Sequence, residues 1–489
     1  MLIPQALAYA TLAGMPPQRG IYVAIAAPIA AAFLASSPYL GTGPTAITSL
    51  LTLGSLTALA TTGSAEYIGL AALLALFVGA IRIVMGLFRA GLVAYLMSQP
   101  ALLGFTTGAG VVIIASQIPN ILGTSTTESN PFLGAFEVLA DPSEWSGAAL
   151  LVSLVTALVM VFGRKVHRLF PGVLVAVVLA VIFSRLTGYD APVVGEIGGG
   201  LPPLSLDVPW SSIWSLLVPA GVIAVIGFSE PASIARHYAT VERRRWDPNR
   251  ELISQGMANV AAGMFGGFPA GGSFSRSALV RDSGARTRLA GAITGLTVLA
   301  LLPFMDSLSA LPVAVLGATI AMAVRELINV KPFIEYRRYA RLQFLVAFLT
   351  FVATIAFAPH VERGVVVGVV LAIGAHLWRE LRLSVPAWTE GSTLHLAPRG
   401  VLYFASAPAL ERAFSRLVSE HEEAHSLVVH LDGLGRVDLT GALALRDLLQ
   451  DAKSAGLEVD LADVPPQARK IVSRVVCQVV DGGTPKRSD

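Results

Sequence analysis

Charge is what this chain of 489 residues has least of: Asp, Glu, Lys and Arg together make up 14%, where a soluble globular domain carries about 25%. A chain this poor in charge, 54% hydrophobic and with a mean hydropathy of +0.67, cannot keep most of its surface in water and is expected to lie largely in lipid. Cysteine is nearly absent. The single Cys477 excludes an internal disulfide and fits reducing surroundings for the C-terminal part. No Walker A sequence and no dinucleotide fingerprint occurs, so nothing in the chain points to ATP-driven work or redox cofactors. A basic leader with a cleavage site is also lacking. Met1-Leu2-Ile3-Pro4 starts inside an apolar run, which is short, and a preceding stretch of the same segment is expected upstream. The net charge of +3 is too small to suggest a nucleic-acid partner.

The charge that is present is unevenly placed. Apolar runs dominate to about Arg382, and charged residues become frequent from Leu383 onward, which divides a membrane domain (1–383) from a soluble one (390–484). Apolar segments recur at 1–13, 20–35, 44–60, 68–87, 92–118, 147–162 and 172–186, and then at 212–229, 252–268, 273–280, 289–305, 312–328, 342–358 and 361–381. A spanning helix needs about 20 apolar residues. Several segments fit; 1–13, 44–60 and 273–280 are short or interrupted. The expectation is about fourteen transmembrane elements in two sets of seven.

Basic residues follow the even elements: Arg82 and Arg89, then Arg164, Lys165 and Arg168, then Arg236, Arg243, Arg244 and Arg245, then Arg281, Arg286 and Arg288. Lys331, Arg337, Arg338 and Arg341, and finally Arg379 and Arg382, continue the series. Acidic loops follow odd elements, with Glu128, Glu137, Asp141 and Glu144, then Asp190, Glu196 and Asp207, then Asp306. Gly198-Gly199-Gly200, in the second of these loops, reads as linker. By the positive-inside rule both chain ends are cytoplasmic, in a multi-pass protein of the cell's inner (plasma) membrane.

Seven is odd, so the second set must run inverted relative to the first. Each set carries one awkward break before its third element. In the first it is Gly41-Thr42-Gly43-Pro44-Thr45-Ala46; in the second it is Phe268-Pro269-Ala270-Gly271-Gly272-Ser273-Phe274-Ser275-Arg276-Ser277. Gln5 to Gly43 is 38 positions, and Glu230 to Gly272 is 42. At membrane depth, broken backbone survives only where protein buries it or a watery cavity meets it. Matched short segments interrupted by Gly and Pro are the sequence sign of a transporter's midplane site. Each new helix starts with unpaired N–H groups and a partial positive charge, a seat for an anion. Thr45 and Ser275 offer hydroxyls, and Arg276 adds a full positive charge; its competing reading is an ion pair with Glu230 that glues two elements together. Glu230, in Gly227-Phe228-Ser229-Glu230-Pro231, is the lone acid near the end of the eighth segment and is a candidate to carry a proton or hold Na⁺. Gln5 and Tyr9, one turn apart on the first element, suit the same cavity or ordinary packing.

His421-Glu422-Glu423-Ala424-His425 matches the zinc motif H-E-x-x-H. It lies in the soluble tail with no third ligand in view, and a polar helix face is the better reading. The tail alternates short strands (394–397, 401–405, 427–431, 457–461) with helices (408–423, 440–455, 465–476), which implies a small α/β domain.

At these residues a family resemblance emerges. Pro4-Gln5-Ala6-Leu7-Ala8-Tyr9-Ala10 followed by Ala13-Gly14-Met15-Pro16-Pro17 resembles the first-helix signature of the SulP anion permeases, solute carrier family 26. Gly41-Thr42-Gly43-Pro44, Gly227-Phe228-Ser229-Glu230 and Ser273-Phe274-Ser275-Arg276-Ser277 resemble its third-, eighth- and tenth-helix motifs, and the tail resembles a STAS domain. The resemblance covers nearly the whole chain. It implies fourteen helices in two inverted repeats, a core domain moving against a gate domain, homodimers, and transport of anions such as sulfate, bicarbonate or dicarboxylates. It carries substrate contact to Gln5, Tyr9, Thr45, Ala46, Phe274, Ser275 and Arg276, and a coupling role to Glu230. Many members place an aromatic where Thr45 stands, and Leu439 stands where regulatory STAS domains often carry a phosphorylatable serine. The expected activity is secondary transport with no bound cofactor: proton-coupled symport, by alternating access, of a C4-dicarboxylate such as fumarate, with sulfate or bicarbonate transport coupled to H⁺ or Na⁺ as an alternative. A passive anion channel is another alternative, and a cytoplasmic partner of the STAS domain is a further expectation.

Overall fold

The computed structural model describes residues 2–92, 98–167, 170–198 and 200–476. Arg168, Gly199 and Cys477 lie outside these residues, as does the end of the tail. The chain divides into two units, Met1–Ala372 and Ile373–Asp489.

The first unit is helical. Its helices are α1 (Leu2–Leu12), α2 (Pro17–Leu34), α3 (Ala46–Leu56), α4 (Ala65–Leu87), α5 (Gln99–Leu122), α6 (Pro131–Ala140), α7 (Gly147–Val166) and α8 (Gly172–Thr187). There follow α9 (Ile213–Val241), α10 (Pro248–Met264), α11 (Phe274–Asp282), α12 (Leu289–Ala300), α13 (Val313–Val324), α14 (Lys331–Tyr339) and α15 (Arg341–Ala356), and then α16 (Val361–Glu380), whose last residues, from Ile373, belong to the second unit. Each of the fourteen apolar segments overlaps one of these helices, residues 93–97 of the fifth lying outside the described residues. Of the described helices, six are long and apolar enough to cross a membrane, or seven if Leu289–Ala300 and the bent 3₁₀ turn Leu302–Leu308 count as one span. Helices α6 and α14 lie outside the fourteen segments: α6 is apolar but only ten residues long and contains Glu137, and α14 carries Lys331, Glu335, Arg337 and Arg338.

Local chemistry explains where these helices begin and stop. Ser64, Asn130, Ser146 and Asp247 each accept backbone N–H bonds as N-caps, satisfying donors that a first turn leaves unpaired. Gly123 and Gly188 end α5 and α8 in the left-handed region. Helices α4 and α10 pack closely through small residues: a Cβ on Gly79 would lie 2.7 Å from the Gly256 carbonyl oxygen, and one on Gly263 the same distance from Ala72. Such closeness is how helices associate where lipid supplies no hydrophobic drive. One core joins α1 to α5, α9, α10 and α13, with Leu7, Leu50, Leu73, Ile223 and Val315 fully buried.

Arg82, counted from sequence as a loop charge, is instead fully buried on α4. Its guanidinium donates to the carbonyls of Ile223 and Ala224 on α9, both at 3.0 Å, and of Ala270 at 3.2 Å. Three carbonyl dipoles thus take the place of a carboxylate partner, holding α4, α9 and the chain before α11 together.

The second unit is α/β. Strands β3 (Ala387–Glu390), β4 (Thr393–Leu396), β6 (Ser426–His430) and β8 (Glu458–Ala462) form a sheet in the order β3-β4-β6-β8, in which only the β3–β4 pair is antiparallel. Strands β5 (Gly400–Leu402) and β7 (Leu434–Val437) pair in parallel beside it. Helices α17 (Ala407–Glu420), α18 (Leu439–Ser454) and α19 (Pro466–Val475) bury Leu410, Phe414, Leu445, Leu449 and Val472 in one core. Sequence spacing located every element here except the four-residue strands β3, which is mostly exposed, and β7, whose buried Leu434 and Val437 flank exposed Gly435 and Arg436. Helix α17 stops at Glu420, earlier than expected, so His421 and His425 do not share a helical face. Their Nδ1 atoms turn to the carbonyls of Leu417 and Glu423, and no cluster of three or more metal-ligating groups exists among the described residues.

Candidate functional site

The two matched breaks meet. Strand β1 (Gly41–Gly43) pairs antiparallel with β2 (Gly271–Ser273), with Gly41 opposite Ser273, Thr42 opposite Gly272 and Gly43 opposite Gly271. Because the pairing is antiparallel, α3 leaves one end of this small ribbon and α11 leaves the other, each with its N-terminus toward the ribbon. Both positive helix ends therefore act on one small volume.

Glycine is required here for space and for shape. A Cβ on Gly41 would lie 2.7 Å from the Arg276 Cβ, and Gly43 has φ +153°. Helix α10 clamps the ribbon from behind. Asn259 accepts the Ala270 N–H at 2.9 Å and donates to the Ala270 carbonyl at 3.1 Å, while Gln255 donates to the Thr42 hydroxyl at 2.9 Å. Sequence reasoning missed both side chains. The available signal was Gln255 and Asn259 one turn apart in an otherwise apolar stretch.

A cavity of about 580 Å³ opens beside the ribbon. Tyr9, Thr45, Ala46, Glu230, Phe274 and Ser275 line it, so six of the eight expected site residues face one space. Its far wall comes from residues the sequence did not single out, among them Gln99 and Thr106 on α5, Glu326, and Tyr336 on α14.

Gln5 and Arg276 are not among the lining residues. They sit one layer behind, both buried, with Arg276 Nη1 donating to Gln5 Oε1 and Nη2 to the Gly41 carbonyl, each at 3.4 Å. Among the described residues the Arg276 Nε has no hydrogen-bond partner. No Arg276–Glu230 ion pair within 4.0 Å occurs among the described residues, although the two buried charges still act on each other. Glu230 lies well inside α9, which runs on to Val241, and the backbone N–H of Phe274 at the start of α11 faces its carboxylate. Thr45 caps α3: its Oγ1 accepts the Thr48 N–H at 3.4 Å and lies 2.9 Å from the Thr48 hydroxyl. Ser273 holds the matching position before α11 but makes no cap; its hydroxyl meets that of Ser275 at 3.1 Å. Among the described residues Ser273 gives α11 no side-chain cap, and the acceptor at its first N–H, that of Phe274, is the Glu230 carboxylate, with the buried Arg276 guanidinium behind. Such a set of donors can replace the hydration of an anion, and the Glu230 carboxylate beside it can take up a cation or a proton.

Broken helices meeting at a cavity with a few polar groups, inside an apolar helical unit, define a membrane transport protein. Residues 1–350 match the sulfate permease family and residues 385–478 match the STAS domain. The chain is 35% identical to a probable sulfate transporter of Mycobacterium tuberculosis, Rv1739c, over 96% of this chain and 88% of the relative. It is 30% identical to the sodium-independent sulfate anion transporter of Bos taurus, over 94% and 81% respectively. The murine solute carrier 26 family member A9 anion transporter, solved in the inward-facing state, superposes with a TM-score of 0.85 at 22% identity, covering 99% of this chain and 85% of that one. The protein belongs to the sulfate permease family: it is a multi-pass membrane anion transporter with a C-terminal STAS domain, and not an enzyme.

Proposed function

We propose that this protein carries a small divalent oxyanion, sulfate first, through the cavity beside the β1–β2 ribbon, driven by the proton gradient and working as a homodimer by alternating access. The carrying observation is the ribbon itself, which brings two helix N-termini to one cavity lined by Thr45, Glu230, Phe274 and Ser275, with the buried Arg276 one layer behind its wall. Sulfate takes precedence because the relatives at 30% identity and above bear that name, and the bovine relative is named sodium-independent, which favours H⁺ over Na⁺ at Glu230. A C4-dicarboxylate such as fumarate is the second reading, favoured by a cavity of about 580 Å³ with Thr45 rather than an aromatic in its wall. In this scheme Glu230 is protonated on the side of entry and releases its proton on the other, so that anion and proton move together. Both chain ends lie in the cytoplasm, where the STAS domain is free to meet a partner.

The test is uptake of radiolabelled sulfate, fumarate and bicarbonate into proteoliposomes under imposed pH, Na⁺ and voltage gradients. Sulfate uptake should rise when the proton gradient points inward and should be blocked by unlabelled sulfate. Ohmic anion currents indifferent to the pH gradient would replace the transporter reading with a channel.

A further inference from the structure

A second cavity, of about 320 Å³, lies at another place in the helical unit, where the ends of α2 and α9 meet the start of α10 and the turn before α12. Five arginines line it: Arg244, Arg245, Arg250, Arg286 and Arg288. Glu242 is the only acid among its lining residues, and it is already committed. It accepts the Tyr39 hydroxyl at 2.6 Å and Arg281 Nε at 3.2 Å, with Arg244 at 3.9 Å. The Tyr39 hydrogen bond, with Arg281 and Arg244 beside it, holds the Glu242 carboxyl below the usual carboxylate range, so it stays ionised and neutralises those two arginines. Arg250 Nε donates to the Leu34 carbonyl at 2.9 Å. Arg245, Arg286 and Arg288 form no ion pair among the described residues, and they keep their positive charge facing one concavity.

Scattered basic residues at a membrane boundary need no explanation beyond topology. Three unpaired guanidiniums converging on one pocket do, because like charges so gathered repel unless an anion joins them. Guanidinium forks suit phosphate in particular. The surroundings say which kind of phosphate. Phe33, two residues before the lining residue Ala35, is 66% exposed. Leu289 and Ile293, which follow the lining residue Arg288 on α12, are 57% and 63% exposed. Leu289 and Ile293 lie one turn apart, so they share a helix face, and α12 packs against α2. Apolar side chains open to lipid thus flank a pocket of unpaired positive charge.

We infer that this pocket binds the headgroup phosphate of an anionic phospholipid, whose acyl chains lie along Phe33, Leu289 and Ile293. The site is separate from the transport cavity, and the inference does not depend on which anion the protein carries.

The test is native mass spectrometry of the full-length protein in detergent, titrated with phosphatidylglycerol, with phosphatidylcholine of the same chain length, and with inorganic phosphate. The wild type should prefer phosphatidylglycerol over phosphatidylcholine by tenfold or more. Arg245→Gln/Arg286→Gln should lose that preference by roughly tenfold to thirtyfold, as expected for two interfacial arginines. Arg337→Gln/Arg341→Gln, which removes the same charge from another basic segment, should retain it. Equal binding of the two lipids, or an unchanged preference in Arg245→Gln/Arg286→Gln, would overturn the site. Inorganic phosphate binding as tightly as the lipid would overturn the lipid assignment in favour of a soluble phosphate. Arg286→Gln alone, at an exposed and unpaired residue, provides the same readout with a smaller loss if the double variant fails to fold.

Discussion

The two helices that start at the ribbon occupy matching places in the two halves, yet they are built differently. Helix α3 is buried along nearly its whole length, and Thr45 caps its first turn. Helix α11 is nine residues long, buries only Arg276 and Ser277, and starts at Ser273 without a side-chain cap. One end is satisfied by its own chain and serves as a fixed wall. The other turns its first N–H to Glu230 on α9 and carries the charge of Arg276. Anion recognition in a pseudo-symmetric site thus need not be shared evenly: α11 is equipped to bind and α3 to hold the shape.

Breaking the binding side should have the largest effect. Arg276→Ala should lower sulfate uptake in proteoliposomes about a hundredfold or more while the protein still reaches the membrane, since a buried charge-assisted contact is worth several kcal/mol. Uptake within threefold of wild type would remove α11 from the site. Glu230→Gln should leave anion exchange measurable but abolish its response to an imposed pH gradient, because an amide cannot carry the proton. Retained pH-gradient stimulation would assign coupling elsewhere. Gly41→Ala should cost about 1–3 kcal/mol of stability by pressing on the Arg276 Cβ, seen as a lowered melting temperature together with weaker uptake. Thr45→Ala should matter least. Loss of a cap costs about 1 kcal/mol, and KM should shift less than fivefold with no change in coupling. If Thr45→Ala proved as damaging as Arg276→Ala, the two helices would be equal partners after all.

Much of this asymmetry was legible in the sequence. The two Gly/Pro breaks, the lone Glu230 and the charge of Arg276 stand out against apolar surroundings, and six of the eight residues named from them face one cavity. What the sequence hid was depth. Gln5 and Arg276 lie behind the wall because the pairing of β1 with β2 turns Arg276 toward the Gly41 carbonyl, and no spacing rule conveys a contact across 235 residues. Arg82 misled for a related reason. A cation near the end of an apolar run looks like a loop marker, yet its partners are carbonyls of α9 and of Ala270, far along the chain. The far wall of the cavity was equally hidden, because Gln99, Thr106 and Tyr336 are ordinary polar residues until tertiary packing brings them to Tyr9 and Phe274. In the tail the pattern served better, since strand and helix periods are local; β3 escaped because it is mostly exposed, and β7 because exposed Gly435 and Arg436 part its buried ends.

The β1–β2 ribbon is only three residue pairs long, but it joins the chain before α3 to the chain before α11. Under the alternating access proposed above, an anion seated there keeps both hosts together, and opening falls between this piece and the helices across the cavity. A cross-link within the ribbon should then leave uptake running, whereas a cross-link from Ser275 to Thr106 should arrest it.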